Sequence, residues 1–373
     1  MRRSSCRIRS SSSSFSYSYS ISTHWFVART RTRTRTIKRE KGSALIVALW
    51  VIVLLSLLVA SFAFDMKVEL EITSFYRNRL KAQYVAQGGM ELAKVIIKQS
   101  TKVDEALEEE FFHEDEQIAL GAVNLSRGTA MRNLKREIGE GTLTLTIEPE
   151  EGRRNINLLV DDYDDWEEIL DQAGVPQELW PELIHTFWDF IEPGDTRRLH
   201  GAEPDDPWYT RRGYEAKGAE LDTIDELLLV KGFTEEIVYG SPPGTPADES
   251  MRGIASWLTT WTTDNRVNVN TASREVLLTI SGIDEFVVDA IIEHRVGLDG
   301  IAGTREDGFE SVDEVIALTG MRADLRDRIR VRDVDFYRIT SIGEVRGVRR
   351  GAWAVMRVEN GDVTPVFWRE EQL

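Results

Sequence analysis

The chain has 373 residues and a formal net charge of -17; eleven of its 46 Lys/Arg, but only one of its 63 Asp/Glu, fall in residues 1–42. The remainder therefore holds 35 bases against 62 acids, a net -27, which repels phosphate backbones and anionic lipid headgroups and suits cation binding or solubility outside the cytoplasm. The single cysteine, Cys6, excludes an intramolecular disulfide and the zinc frameworks built on paired cysteines.

Residues 1–42 read as a basic, disordered leader. They are Ser-rich over 3–22 and alternate Arg with Thr over 29–36, and neither stretch can build a core. From Ser43 to Phe64 no residue is charged. That run makes about 33 Å of helix, enough to cross a bilayer core of about 30 Å. A buried core helix seldom lacks every charge for this length, and a cleaved secretory signal has a shorter apolar region ending in small residues. The bases precede the span, so the positive-inside rule keeps the N-terminus cytoplasmic and sends the rest across. The small residues Ala44, Ala48, Ser56, Ala60 and Ser61 suit close helix–helix approach in lipid. The helix is expected to continue over residues 65–99. Met66, Leu70, Phe75, Leu80, Tyr84, Leu92, Val95 and Ile96 supply an apolar face to pack on a soluble domain, and Gly88-Gly89 is the expected kink.

Residues 100–139 are acidic and mixed, and read as one or two helices. Residues 140–148 alternate apolar and polar, as a half-buried strand does; 336–346, 350–358 and 363–369 repeat the pattern, with turns at Gly347 and Asn360-Gly361. Between these strands lie helix–turn–helix units opening at Thr223, Ala272 and Ser311. Each has a Glu near its cap (Glu226, Glu275, Glu314) and a closing Gly (Gly232, Gly282, Gly320). The expected fold is α+β, with a long N-terminal transmembrane helix over 43–64 and its continuation over 65–99. That helix packs on a small antiparallel sheet from 100–154 and 333–373, and a mainly helical insert occupies 155–332. The middle unit resembles a helix–hairpin–helix, whose two glycines hold a phosphate in nucleic-acid versions. Here Asp284 replaces the second glycine, and its carboxylate opposes phosphate.

The serine elbow, the paired histidines of zinc proteases and the phosphate loop are missing from the sequence, and His24, His113, His185, His200 and His294 are scattered. This points away from an enzyme. The loop 192–209 gathers Glu192, Asp195, Glu203, Asp205 and Asp206 among prolines and glycines, a set of hard oxygen donors suited to Ca²⁺. Arg197, Arg198, Arg211 and Arg212 are the competing partners for those acids.

Lys41-Gly42-Ser43 before a long apolar helix resembles the type IV pilin and pseudopilin family, and AQYVAQGGMELAKVII resembles the end of that family's first helix. VNVNTA with its hairpin, EGRRNINLL from Glu151, FWDFIEPGD from Phe187 and GAEPDDPWY from Gly201 are similar to the minor pseudopilin K group of type II secretion systems. The resemblance implies a prepilin-peptidase cut between Gly42 and Ser43, with Ser43 N-methylated. Val47 stands at the fifth mature position, where most members carry glutamate; a subunit at a filament tip has no neighbour needing that charge. It further implies a pilin-like fold with SAM-like helical units and calcium in the soluble domain. The implied partners are the I-type and J-type minor pseudopilins, the major pseudopilin, the inner-membrane platform and the bilayer, with no nucleic acid. The implied location is a single pass through a bacterial inner membrane with a periplasmic body, at the tip of a pseudopilus whose assembly it primes. Two other readings stay open: a membrane-bound helix–hairpin–helix DNA-binding protein, and a minor pilin of a type IV pilus.

Overall fold

The computed structural model describes residues 43–103, 115–194, 196–247, 250–297, 304 and 307–371. The leader with Gly42, and Asp195 of the acidic loop, lie outside the described residues. The chain divides into two units between Lys67 and Val68.

Helix α1 spans Ser43–Ser100 without a break. Its buried side chains are Asn78, Ala82, Val85, Ala86, Gly89, Met90, Ala93, Ile96, Ile97 and Ser100. This corrects the expected face: Leu70, Phe75, Leu80, Tyr84 and Val95 are exposed, and of the eight residues expected to pack only Ile96 is fully buried. Size explains the inversion. Small residues bring the helix backbone onto the sheet, and the bulky ones would hold it off. Gly89 is part of that contact and not a kink. An added Cβ there would overlap Ser341 Oγ and lie 2.5 Å from Leu143 Cδ1, whereas one at Gly88 meets nothing.

After α2 (Glu116–Ser126) come β1 (Met131–Ile138) and β2 (Gly141–Pro149). Strand β1 was expected to be helical. Its apolar residues Met131, Leu134 and Ile138 sit three and four apart, which is helix spacing. A bulge at Asn133, with φ of +57°, absorbs the mismatch by breaking the register between Met131 and Leu134.

Two short parallel pairs organise the next 180 or so residues, as judged from the element order. The first module opens with β3 (Arg154–Asn155) and runs through α3 (Tyr163–Ala173), α4 (Trp180–Ile191), α5 (Pro207–Thr210) and α6 (Glu235–Tyr239). It closes with β4 (Leu258–Thr259). The second opens with β5 (Val267–Asn268), runs through α7 (Arg274–Leu278), α8 (Glu285–His294) and α9 (Val312–Thr319), and closes with β6 (Ile329–Arg330). Both begin with Asn-x-Asn, used identically. The first Asn accepts the N–H two residues on, at 3.0 Å in each copy. The second clamps a distant backbone through both its N–H and C=O: Asn157 on Leu221 and Asn270 on Phe309. Leu221 and Phe309 each precede by two residues a capping Thr223 or Ser311, followed by Glu226 or Glu314 and the left-handed Gly232 or Gly320. The units opening at Thr223 and Ser311 are therefore equivalents, and the unit at Ala272 is the start of the second module.

The chain then returns to the sheet as β7 (Phe336–Val345), β8 (Val348–Glu359) and β9 (Asp362–Glu371), giving the antiparallel order β1-β2-β7-β8-β9. Arg346-Gly347 and Asn360-Gly361 both take positive φ at both positions, as two-residue hairpins require. One hydrophobic cluster joins α1, α2 and the sheet; another fills the two modules.

Candidate functional site

Ser43 opens α1, and Ala44, Val47, Ala48, Ser56 and Ala60 are all exposed. So are fifteen large apolar side chains between Leu45 and Phe64. Leaving each in water forfeits at least about 1.5 kcal/mol, on the order of 20 kcal/mol together. That exceeds the roughly 5–15 kcal/mol by which whole domains are stable. The helix is long and apolar enough to cross a membrane once, and lipid is the environment that removes this penalty.

Counting in fours from Ala44 reaches Ala48, Ile52, Ser56, Ala60 and Phe64 in the first unit. In the second unit, taken by itself, Val68, Ile72, Tyr76, Leu80, Tyr84 and Gly88 stand four apart and are exposed. Residues four apart form a surface ridge of a helix, and ridges of this kind interdigitate at crossing angles near about -50°. The sequence reading found the small residues at the start of the ridge but assigned Leu80 and Tyr84 to the core and passed over Ile72 and Tyr76.

The acidic loop is organised by arginines. Arg198 grips Glu192 with both terminal nitrogens, at 2.6 and 2.9 Å, and also donates to the buried Asp189 and to Asp161, each at 3.1 Å. These hydrogen bonds, led by Glu192, outweigh burial and raise the guanidinium pKa above its ordinary value. Arg197 Nη2 donates to Asp205 Oδ1 at 2.7 Å. Asp206 caps α5 by accepting from the Trp208 N–H at 2.8 Å and receives Lys231 Nζ at 3.4 Å. Burial pulls its pKa up, but the Trp208 N–H and Lys231 prevail and hold it low. Glu203 is buried. Ca²⁺ takes six to eight oxygens. Among the described residues no group of three or more His, Cys, Asp or Glu side chains is placed to hold a metal ion. His185 and His200, distant in sequence, stack at 5.6 Å between centroids and 9° between planes, beside Tyr163 and Trp188. Burial keeps the His185 pKa below its ordinary value.

Two other motifs are structural. At the hairpin, Asp284 Oδ1 accepts the Val287 N–H at 2.9 Å, so the first turn of α8 is capped by the chain's own carboxylate, where a phosphate would compete for it. In the EGRRNINLL segment, Arg154 is fully buried and donates to Asp165 and to the Thr279 carbonyl, the latter at 2.8 Å. Asp165 also receives Arg328 and, at 3.2 Å, the Ser281 N–H, so it clasps the two modules together. Burial pushes the Asp165 pKa up, but the two guanidiniums outweigh it and leave it below the usual range.

The family model described as type II secretion system (T2SS), protein K, matches residues 152–240, from the turn after β2 through most of the first of the two modules. No curated protein sequence matches the chain. Among solved structures, a chain of the GspK-GspI-GspJ complex from the type 2 secretion system of enterotoxigenic Escherichia coli is similar, with a TM-score of 0.52. The match covers 79% of this chain and 100% of that chain at 13% identity, a likeness of fold.

Proposed function

We propose that this chain, a type II secretion system protein K by the family domain it carries and the fold it adopts, is a minor pseudopilin that caps the pseudopilus and primes its assembly. In this reading the helix anchors in the inner membrane with its N-terminus cytoplasmic and its body periplasmic. Prepilin peptidase cuts between Gly42 and Ser43, and the subunit supports export of folded proteins across the outer membrane. Its partners are minor pseudopilins of the I and J types, named in the complex with which the fold is shared, together with the major pseudopilin and the inner-membrane platform. Val47 supports a tip position, because an unpaired glutamate there would be costly in lipid. The bulk of the two modules supports it too, because a subunit stacked on them would meet them.

The observation that carries this reading is the exposed row Ile72, Tyr76, Leu80 and Tyr84 in the second unit, on a helix long and apolar enough to cross a membrane. A partner helix laid along it would cover Ile72, Tyr76, Leu80 and Tyr84 with no change in the core. Cys6 lies in the leader that the cut removes, so a cysteine placed in the body is the only thiol of the processed chain. Tyr84→Cys, co-expressed with partners bearing single cysteines in their own long helices, is expected to give a heterodimeric disulfide adduct. Leu179→Cys, exposed on the first module, is expected to give none. If no adduct forms from Tyr76, Leu80 or Tyr84, or Leu179→Cys couples equally well, the ridge is not the assembly surface.

A further inference from the structure

The two modules hang from the sheet by a neck where the chain leaves β2 and re-enters at β7. The turn Glu150–Gly152 sits in that neck and packs against β5 and β7. Its two glutamates are both buried. Glu150 faces β7 and is held by Arg338 through two hydrogen bonds, at 2.6 and 2.9 Å, with Arg153 at 3.3 Å. Among the described residues Glu151 makes no ion pair with a guanidinium. Its Oε1 accepts the backbone N–H groups of Asp335 and Phe336, at 2.8 and 3.0 Å, which tie the returning chain to the departing one. Its Oε2 is buried and accepts no hydrogen bond from the described residues.

We propose that Glu151 is a proton-operated latch on the neck: protonated at Oε2 it holds the returning strand closed, and ionised it loosens it. A neutral carboxylic acid fits this geometry, although backbone N–H donors taken alone favour the ionised form. One oxygen serves as the carbonyl acceptor for two N–H groups, and the other sits in a dry place where an O–H is tolerable and a charge is not. Arg330 favours the ionised form but does not outweigh burial. β5 carries no titratable group at Val267 or Asn268, and β6 contributes Arg330, which is engaged with Asp264 and with the Asp333 carbonyl. On the β7 side stand Asp335 and Tyr337, which are not cations; Tyr337 is itself pushed above the usual phenol value by burial and then by Glu151. Burial first, against the opposing backbone N–H groups and Arg330, raises the Glu151 pKa from 4.5 to about 7.

The sign follows from linkage. When the neck opens, Glu151 meets water and its pKa returns toward 4.5, so closure is favoured most at low pH and loses that advantage as pH rises to about 7. Between pH 6 and pH 8 the opening equilibrium at the neck should rise about tenfold. The test is amide hydrogen exchange of the full chain in detergent at the two pH values, corrected for intrinsic exchange. The Asp335 and Phe336 amides are compared with amides in the β8–β9 pair as reference. The expected result is a tenfold rise at Asp335 and Phe336 alone, abolished by Glu151→Gln, whose amide oxygen still accepts both N–H groups at any pH. Equal opening at both pH values in the wild type, or a tenfold rise that persists in Glu151→Gln, would overturn the latch. The wild-type comparison decides the question even if the variant does not fold.

Discussion

Substituting Gly343 by alanine tests the helix–sheet contact on which the body is built. In a strand, Gly→Ala ordinarily stabilises by roughly 0.5–1 kcal/mol, because glycine loses more freedom on folding. Here an added Cβ would fall on the Ala82 carbonyl oxygen and lie 2.8 Å from the Ala86 nitrogen, both backbone atoms of α1. No rotamer can relieve that clash, so the helix itself must lift. A gap of about 0.5–1 Å forfeits a quarter to a half of each dispersion contact, and Ala82, Val85, Ala86, Gly89 and Met90 all face the sheet. Overpacking of this kind costs about 3 kcal/mol, well beyond the gain in strand propensity. At about 2–4 °C per kcal/mol for a domain approaching this size, the melting temperature should fall by about 6–12 °C. Gly88→Ala, one residue from the contact and with open space around it, is the control. It should raise stability by up to about 1 kcal/mol through helix propensity. Thermal melts of both variants in detergent, followed by circular dichroism, decide the matter. If Gly343→Ala melts at or above the wild type, α1 does not lie on β7 as described.

Two further predictions concern the ends of the proposal. Gly42→Leu should leave the leader attached, so that N-terminal sequencing of the membrane form reads from the initiator region and not from Ser43; an unchanged N-terminus at Ser43 would remove the proposed cut. Calcium at the loop 192–209 stays a proposal that requires the arginines to release their carboxylates. Arg197 is exposed and pairs only with Asp205 among the ion pairs of the described loop residues. Arg197→Ala should therefore show a larger rise in melting temperature in CaCl₂ over EGTA than the wild type does; no rise in either protein rules the cation out of this loop.

Much of the architecture was legible because the relevant signals are periodic or local. The uncharged run 43–64 is long and apolar enough to cross a membrane, and β7 to β9 are bounded by turns that need left-handed residues. The failures share a cause: periodicity reports which residues are apolar, not which are small. In α1 the large residues were expected inward, but Ala82 and Ala86 lie against Gly343 and Gly89 against Ser341 and Leu143, while Tyr76, Leu80 and Tyr84 are turned outward. Strand β1 mimics a helix because a bulge shifts its apolar residues off the two-residue period. The acidic loop showed its oxygens in the sequence. That Arg198 would collect Glu192, Asp189 and Asp161 depends on a fold that brings Asp161 beside it from 37 residues away. The two modules were half visible. Their caps and glycines recur in the sequence, but the equivalence of Asn157 with Asn270 rests on clamps that close over 64 and 39 residues.

Glu150 and Glu151 show how little of a carboxylate's behaviour its position in the chain decides. Both are buried in one turn, and burial alone would raise both. Glu150 ends below its ordinary value because Arg338 and Arg153 supply charge against that burial, whereas Glu151 ends at about 7 because backbone N–H groups supply only dipoles. Asp165 sides with Glu150 for the same reason. The two kinds of acid therefore act on opposite limbs of the stability curve. Contributions from Glu150 and Asp165 are present above their unfolded pKa values and are lost as pH falls through their lower folded ones. The contribution of Glu151 is present below 4.5 and lost as pH rises to about 7. Of these three acids, Glu151 is the one whose contribution is lost toward alkaline pH. In the proposed latch that loss is felt at the neck that joins the modules to the sheet, while the helix–sheet contact, which is apolar, has no reason to follow.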